Sequence, residues 1–454
     1  MGCMGRHSPS WSIPRPSHRQ VQGAVGAKQE ELGVHGVLFA AKLNGRNEAT
    51  SRIASHFCHN GRNGETIPSA PGLQRSFPRL TTHSMTLRIL HTADNHIGLA
   101  FGQYPPAARD RLIEERFASL ERMVTTANDR QAHFFVVAGD LFDRTTVTNA
   151  QIGRAVRILG RFEGEAVLVL AGNHDFCEGP DSGLWRQFRA AADVRVIALT
   201  EQGVRDFESD DYKVRFHACP CPSKHGVEHT IGWVANAEKP SGMLHIGIAH
   251  GNVEGLGLDA EQRYFNMAES DFRNAGLHTW LLGHIHVPAP APGTAGTPLY
   301  FMPGIHTPDS VKCRHPGHAW WIELDADGTC RHEQLTTGAI RFVRIKTDLQ
   351  HANDVGKLQT TCQSLDAPNT ILDLQLTGRL REEESVELNS MLNAISPSFL
   401  HFSQDRDIAS VLDAAAIANR FADGTLPSAL LQALLSDDAH PGDAHIALDI
   451  IEPL

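Results

Sequence analysis

No apolar run in this 454-residue sequence approaches the roughly 20 residues needed to cross a bilayer. The longest stretches, such as Ala166–Ala171, are strand-sized, which excludes a membrane-spanning helix. Cysteine pairs at metal-knuckle or redox spacing are missing too. Of eight cysteines only Cys219-Pro-Cys221 comes close, and one intervening residue suits neither use. Unpaired, reduced thiols in a cytoplasmic protein follow from that pattern. A basic excess is also lacking, with 41 Lys and Arg against 52 Asp and Glu and a formal charge of −11. That balance argues against a protein that coats DNA by its own charge, although an enzyme can meet phosphates through metal ions. Histidine is abundant instead, at 26 residues, and histidine in such numbers points to metal chemistry.

Composition divides the chain. Residues 1–84 hold ten Lys and Arg, four Glu and no Asp, a charge of +6 that leaves −17 for the remainder. Broken by Gly, Pro, Ser and Arg and without a sustained period, they read as a disordered extension or as the result of a start assigned upstream of Met85. From Met85 the pattern becomes regular. Leu87–His91, Phe134–Ala138 and Ala166–Leu170 are apolar strands separated by helical stretches over Ala107–Arg130 and Asn149–Phe162. In the first helix Leu112, Phe117, Leu120 and Val124 are spaced for one buried face. Leu244–Ala249, Thr279–Leu282, Pro298–Met302 and Trp320–Leu324 read as further strands. Strand–helix alternation of this kind predicts a layered α/β domain over residues 85–340. Residues 341–454 read as a smaller α+β unit, with strands at Phe342–Ile345 and Ile371–Leu376 and helices at Glu382–Ile395 and Ile408–Ala422.

The chemistry sits where the strands stop. Asp94-x-His96 follows the first strand, Gly139-Asp140-Leu141-Phe142-Asp143 the second and Gly172-Asn173-His174-Asp175 the third. His250 ends a fourth strand and Gly283-His284-Ile285-His286 a fifth. Loops at the carboxyl ends of strands are where an α/β sheet places its ligands. The donors are carboxylate, imidazole and amide with no thiolate, a set suited to Mn, Fe or Zn in near-octahedral sites rather than to a tetrahedral structural zinc. Each motif alone is weak, since a Gly-Asp is often a turn and a single histidine often a satisfied core residue. Their joint, ordered occurrence at strand ends is what carries the reading.

This ordered set resembles the calcineurin-like metallophosphoesterase superfamily over roughly Leu87 to Leu324. The flanking residues of His91-Thr92-Ala93-Asp94-Asn95-His96-Ile97-Gly98, Leu281-Leu282-Gly283-His284-Ile285-His286 and Met302-Pro303-Gly304 resemble its SbcD-type DNA repair exonuclease branch, as does the run from His318 into Arg341-Phe342-Val343. The resemblance implies a four-layer β-sandwich flanked by helices, with residues 341–454 as a capping domain. It implies two divalent ions, manganese foremost with iron or zinc as alternatives. Asp94, His96, Asp140 and His286 would hold the first, and Asp140, Asn173, His250 and His284 the second. Two such cations can clamp a phosphodiester and lower the pKa of a shared water. His174 would protonate the leaving oxygen, oriented by Asp143 or alternatively by Asp175. Arg144 resembles a phosphate-contacting arginine of protein phosphatases, but Thr145 follows where that pattern has Gly, so a solvated loop residue is preferred. His91 is structural in the family pattern, and His306, His315 and His318 read as an exposed loop with substrate contact as the alternative. DNA ends would be the substrate and an SbcC-like coiled-coil ATPase the partner, and the reading admits a homodimer. The alternatives are a stand-alone phosphodiesterase or phosphatase for nucleotides or other small phosphoesters, and a non-enzymatic scaffold.

Overall fold

The computed structural model describes residues 86–256, 263–351, 353–436 and 442–451. The expected extension over residues 1–84 lies outside them. Three apolar strands build the centre: β1 (Thr86–Thr92), β2 (Phe134–Val137) and β3 (Ala166–Leu170) pair in parallel. β2 and β3 are apolar throughout because both faces are buried, whereas β1 carries Arg88 and His91 among its apolar residues. The intervening helices are α1 (Pro106–Asp129) and α2 (Asn149–Leu159), followed by α3 (Gly183–Ala191) and the parallel strand β4 (Val196–Leu199).

A second sheet is formed by β5 (Gly203–Glu208), β6 (Lys213–Cys219), β7 (Leu244–His250), β8 (Thr279–Gly283) and β9 (Tyr300–Phe301), with α4 (Glu269–Ala275) before β8. The chain then returns to the first sheet through β10 (His318–Asp325), antiparallel to β1, and β11 (Cys330–Thr336), giving the order β11-β10-β1-β2-β3-β4. The sequence pattern had extended β9 over Pro298–Met302. The strand is shorter because Pro298 has no N–H to donate, and Met302 exchanges its bonds with Ala289 instead.

Side-chain alternation makes the layers. Ile89, Phe134, Val136, Leu168 and Leu170 face Val214, Phe216, Ile246, Ile248 and Leu281 across the two sheets. Leu90, Phe135, Val137 and Val167 face the other way, onto Phe117, Leu120 and Val124 of α1 and Ile152 and Val156 of α2. Phe272 and Ala275 of α4 cover Trp280 and Leu282 on the outer face of the second sheet. Helix, sheet, sheet, helix is thus a four-layer sandwich. Helix α1 is buried on a second, polar side as well, through Glu115, Arg116 and Ser119.

A third sheet follows, all parallel, from β12 (Arg341–Leu349), β13 (Thr370–Leu380) and β14 (His401–Ser410). Helices α5 (Asp354–Gln363) and α6 (Glu382–Ile395) are its crossovers, and Leu358, Leu388 and Met391 pack onto Leu372, Leu374 and Leu376. Phe342 and Ile371 pack against Phe101, Ala108 and Leu112 of the first unit. The helix expected over Ile408–Ala422 is divided. Ile408–Ser410 complete the β14 ladder against Gly378–Leu380, and the helix α7 (Ala414–Arg420) begins only after Asp413 caps it by accepting from Ala416 N at 2.7 Å. Two short helices, α8 (Leu426–Leu435) and α9 (Asp443–Ile451), close the described chain. No helix among the described residues is long and apolar enough to cross a membrane, and the six described cysteines are free thiols.

Candidate metal centre

The parallel strands of both sheets deliver their carboxyl ends to one place. Asp94 and His96 follow β1, Asp140 follows β2, Asn173 and His174 follow β3, His250 is the last residue of β7, and His284 and His286 follow β8. The loops are cross-tied: Asp94 N donates to Gly139 O (3.1 Å), His96 N to Asp140 O (3.0 Å) and His284 N to the Asp94 carboxylate (3.0 Å to Oδ2). Four of the site residues adopt left-handed backbone, with φ of 53° at Asp94, 43° at His96, 54° at Asp140 and 104° at His284. Each such non-glycine residue costs of order 1–3 kcal/mol and persists only where its surroundings fix it, which is a mark of functional loops. Two glycines make the crowding feasible. A Cβ on Gly139 (φ 92°) would collide with the His250 ring, and one on Gly172 with the Asp140 carboxylate.

The side chains form two adjoining clusters. In one, His96 Nε2 faces His286 Nε2 at 3.3 Å, His286 Nε2 lies 3.8 Å from Asp94 Oδ1, and His96 Nε2 lies 3.8 Å from Asp140 Oδ2. In the other, Asn173 Oδ1 is 2.9 Å from His250 Nε2 and 3.0 Å from His284 Nδ1, while Asp140 Oδ2 is 3.3 Å from His250 Nε2. Asp140 therefore stands between them. All seven expected ligands are brought together, and ligand atoms of Asp94, His96 and His286, of His96, Asp140 and His174, and of Asp94, Asp140 and His250 fall within 4.8 Å of one another.

These contacts ask for a cation. Two imidazole nitrogens that face each other cannot both present lone pairs without a proton or a metal between them. Nδ1 of His250 donates to Ala138 O at 2.9 Å, since a carbonyl can only accept, so its Nε2 is the atom that meets the oxygens of Asn173 and Asp140, through a proton in the metal-free protein that a cation would replace. Burial disfavours the charged form of Asp94 and raises its pKa. Burial also works against Asp140, but the neighbouring His250 and His96 outweigh it and hold that carboxyl low. Burial likewise pulls the His250 imidazole down, and Asp140 reverses this, leaving it raised to about 9. Burial depresses His96 well below its usual value and His284 to about 3. Buried carboxylates cost several kcal/mol each unless compensated, and neutral imidazoles with an amide oxygen are the ligands that divalent cations take. The residues fit two such ions.

His174 lies beside the first cluster, with its ring 4.7 Å from that of His96 and edge-on to it. Its Nδ1 donates to the main-chain carbonyl of Asp143 at 2.9 Å. The expectation had placed that bond on the Asp143 carboxylate, which instead lies 3.7 Å from His96 Nδ1 and pairs with Arg144 at 2.9 Å. The turn after Asp140 brings the peptide rather than the side chain under the ring. Asp175 does not orient His174 either. Fully buried, it accepts from Phe142 N (3.0 Å) and Gly172 N (2.7 Å), tying together the loops after β2 and β3. Burial and then Asp140 raise its pKa to about 7. Arg144 also donates to Gly98 O at 3.1 Å and is half exposed, a surface tie between two loops. Because the carbonyl survives the change, Asp143→Asn should act through His96. Metal affinity should fall toward the low end of the roughly 10–100-fold typical of a lost ligand-orienting partner, and saturating Mn²⁺ should restore the rate on bis(p-nitrophenyl) phosphate. A loss that metal does not restore would return the carboxylate to His174.

Of the histidines after the Pro-Gly loop, His306 and His318 are buried and His315 is half-buried, against the exposed-loop reading. His306 is fully buried and donates from Nε2 to Arg116 O at 3.2 Å, and His318 is buried at the start of β10. His315 donates to the carbonyl of His286 at 2.7 Å and so supports a candidate ligand. His91 is buried too, and burial lowers it to about 3. Two neighbours of the site carry no motif. Asp309 Oδ2 lies 3.7 Å from His286 Nδ1, as a partner that would orient that ring. The ring of Tyr264 lies 5.0 Å from that of His284, on a strap fastened by Asn252 N to Tyr264 O and Phe265 N to Gly226 O, both 2.8 Å.

Residues 87–288 match the calcineurin-like phosphoesterase family model. The chain is 28% identical over 261 residues to the DNA double-strand break repair protein Mre11 of Aeropyrum pernix, covering 53% of this chain and 58% of that protein. It is 25% identical over 329 residues to the uncharacterized metallophosphoesterase YhaO of Bacillus subtilis, covering 69% of this chain and 73% of that one. A dimetal phosphatase from Danio rerio aligns with 56% of this chain and 98% of its own, at 12% identity and a TM-score of 0.35. All seven candidate ligands and His174 fall inside the matched segment, and residues 87–288 are a calcineurin-like metallophosphoesterase domain with Mre11-like relatives.

Proposed function

We propose that this chain is a dinuclear-metal phosphodiesterase and, specifically, a manganese-dependent nuclease acting on DNA ends. The observation that carries the phosphodiesterase reading is the pair of adjoining ligand clusters with Asp140 between them. Asp94, His96 and His286 would hold one ion, Asn173, His250 and His284 the other, and Asp140 both, because a carboxylate offers two anionic oxygens. Two divalent ions at these residues would neutralise the charge of a phosphodiester and acidify the attacking water. His174, with Nδ1–H committed to the Asp143 carbonyl, presents Nε2 to the substrate, and in the imidazolium form the Nε2 proton passes to the leaving oxygen while the Nδ1 bond is kept. The carbonyl fixes the ring plane and keeps Nδ1 protonated throughout, so that Nε2 is the atom that exchanges the proton. His174, His284 and His286 are partly exposed whereas Asp94, Asp140, Asn173 and His250 are buried, so a substrate would meet the site on the side of these three rings.

The DNA reading is supported by the likeness to Mre11, which is named for double-strand break repair. The charge of −17 carried after residue 84 disfavours unaided binding to a polyanion. An SbcC-like coiled-coil ATPase would supply the missing basic surface. The test is hydrolysis of single-stranded DNA, duplex ends and bis(p-nitrophenyl) phosphate with and without Mn²⁺. Mn²⁺-dependent cleavage of DNA, abolished by chelation, is the expected result. Cleavage of the simple diester but of no DNA, with or without such an ATPase, would overturn the nuclease reading in favour of a small-molecule phosphodiesterase.

A further inference from the structure

Helix α1 holds a buried cation for which the clusters do not account. Arg116 is only 1% exposed. Its Nη1 donates to the main-chain carbonyl of Asn95 at 2.8 Å, while Nε and Nη2 have no hydrogen-bond partner among the described residues. Phe101 lies under the guanidinium, with the ring centre 5.2 Å away. A buried guanidinium with one hydrogen bond is an expensive way to fill space, and an apolar side chain of similar volume would pack the same position more favourably. Its own backbone is fixed in turn, since His306 Nε2 donates to Arg116 O at 3.2 Å.

What the arginine grips explains its presence. Asn95 is the residue between Asp94 and His96, the two candidate ligands with left-handed φ of 53° and 43°. Their N–H groups are held from one side by the carbonyls of Gly139 and Asp140. The intervening carbonyl is held from the opposite element, α1, by Arg116. Without it that peptide is held only through the His96 N–H and can tilt about that single bond, carrying the side chains on either side with it.

We propose that Arg116 is a positioning residue: by fixing the Asn95 carbonyl it keeps Asp94 and His96 in the left-handed conformations that direct both side chains into the cluster with His286. The inference rests on the reading that this cluster holds a divalent ion. A purely structural role would lower thermal stability and leave metal affinity alone. A purely electrostatic role would weaken the binding of a nearby cation, so removing the charge would tighten it. Positioning predicts loosening at one site only.

The experiment is a Mn²⁺ titration of the full chain followed by the electron paramagnetic resonance signal of the free ion, on the wild type, Arg116→Met, Arg116→Lys and Asp94→Ala. The wild type should bind two ions. Arg116→Met should retain one at its original affinity and bind the other roughly 10–100-fold more weakly, the usual effect of losing a group that orients a ligand. Arg116→Lys, which can still donate one bond to the carbonyl, should fall between the two. Unchanged, tighter or equally weakened binding at both sites would overturn the proposal. Should Arg116→Met fail to fold, wild-type affinity in Arg116→Lys would overturn it, and selective weakening would support it. Two ions still bound by Asp94→Ala would overturn the underlying reading of the cluster itself.

Discussion

Asp140→Ala should empty both clusters of metal and reduce phosphodiester hydrolysis by at least about 10³-fold, since the several kcal/mol that metal ions supply are lost together at about 1.4 kcal/mol per decade of rate. The size follows from position. Asp140 Oδ2 lies 3.3 Å from His250 Nε2 in one cluster and 3.8 Å from His96 Nε2 in the other, and Oδ1 accepts from the main-chain N–H of His174 at 2.8 Å. The fold should survive, because the apolar strand before it, Phe134–Val137, is buried along its whole length and the loss removes one of three neighbouring buried carboxylates, relieving Asp94 and Asp175. The metal-free melting temperature should therefore stay within a few degrees of wild type, about the effect of 1 kcal/mol in a protein of this size. What should disappear is the stabilisation by added Mn²⁺, which for the wild type should reach about 2.7 kcal/mol per ion at a hundred times the dissociation constant. A variant that keeps this metal-induced shift would show that Asp140 is not the shared ligand.

His174→Ala should separate proton transfer from metal binding. The ring meets the first cluster edge-on beside His96 and near Asp140, with Nδ1 committed to the Asp143 carbonyl, so the variant should bind close to two ions. Its rate should nevertheless drop by roughly 10²–10⁴-fold, the usual contribution of a general acid or base. The loss should shrink on a diester with a p-nitrophenolate leaving group, which departs without a proton. It should be largest on DNA, whose leaving alkoxide needs one. Steady-state rates on both substrates beside metal analysis decide the matter. Loss of an ion, or equal impairment on the two substrates, would remove His174 from the acid role.

The strand ends were the most legible part of the chain. β2 and β3 are uninterrupted apolar runs and β1 carries only Arg88 and His91 within its apolar run, so the residues after them are placed at one edge by the pattern alone, and Asp94, Asp140 and Asn173 do meet there. Contacts made at long sequence separation by residues without a motif were not legible. Arg116 reaches Asn95 from a helix, and Asp309 reaches His286 from a loop read as open. That loop carries polar residues with no period and gives no sign that it packs against α1, where Ser119 Oγ lies 3.4 Å from His306 O and His306 Nε2 donates to Arg116 O. The orientation of His174 escaped for a different reason. Sequence shows which side chains are near one another, but whether a carboxylate or its own peptide carbonyl lies under the ring depends on the turn's dihedral angles. At Ile408–Ser410 helical spacing and strand pairing competed, and ten registered pairs with β13 prevailed.

The central claim is that Asp140 joins two metal-binding clusters. Anomalous diffraction from crystals of the wild type soaked in Mn²⁺ measures this most directly. Two manganese peaks are expected, one within bonding distance of Asp94, His96 and His286 and one of Asn173, His250 and His284, with the Asp140 carboxylate touching both. A single peak, or two peaks with Asp140 bonded to neither or to one alone, would contradict the account.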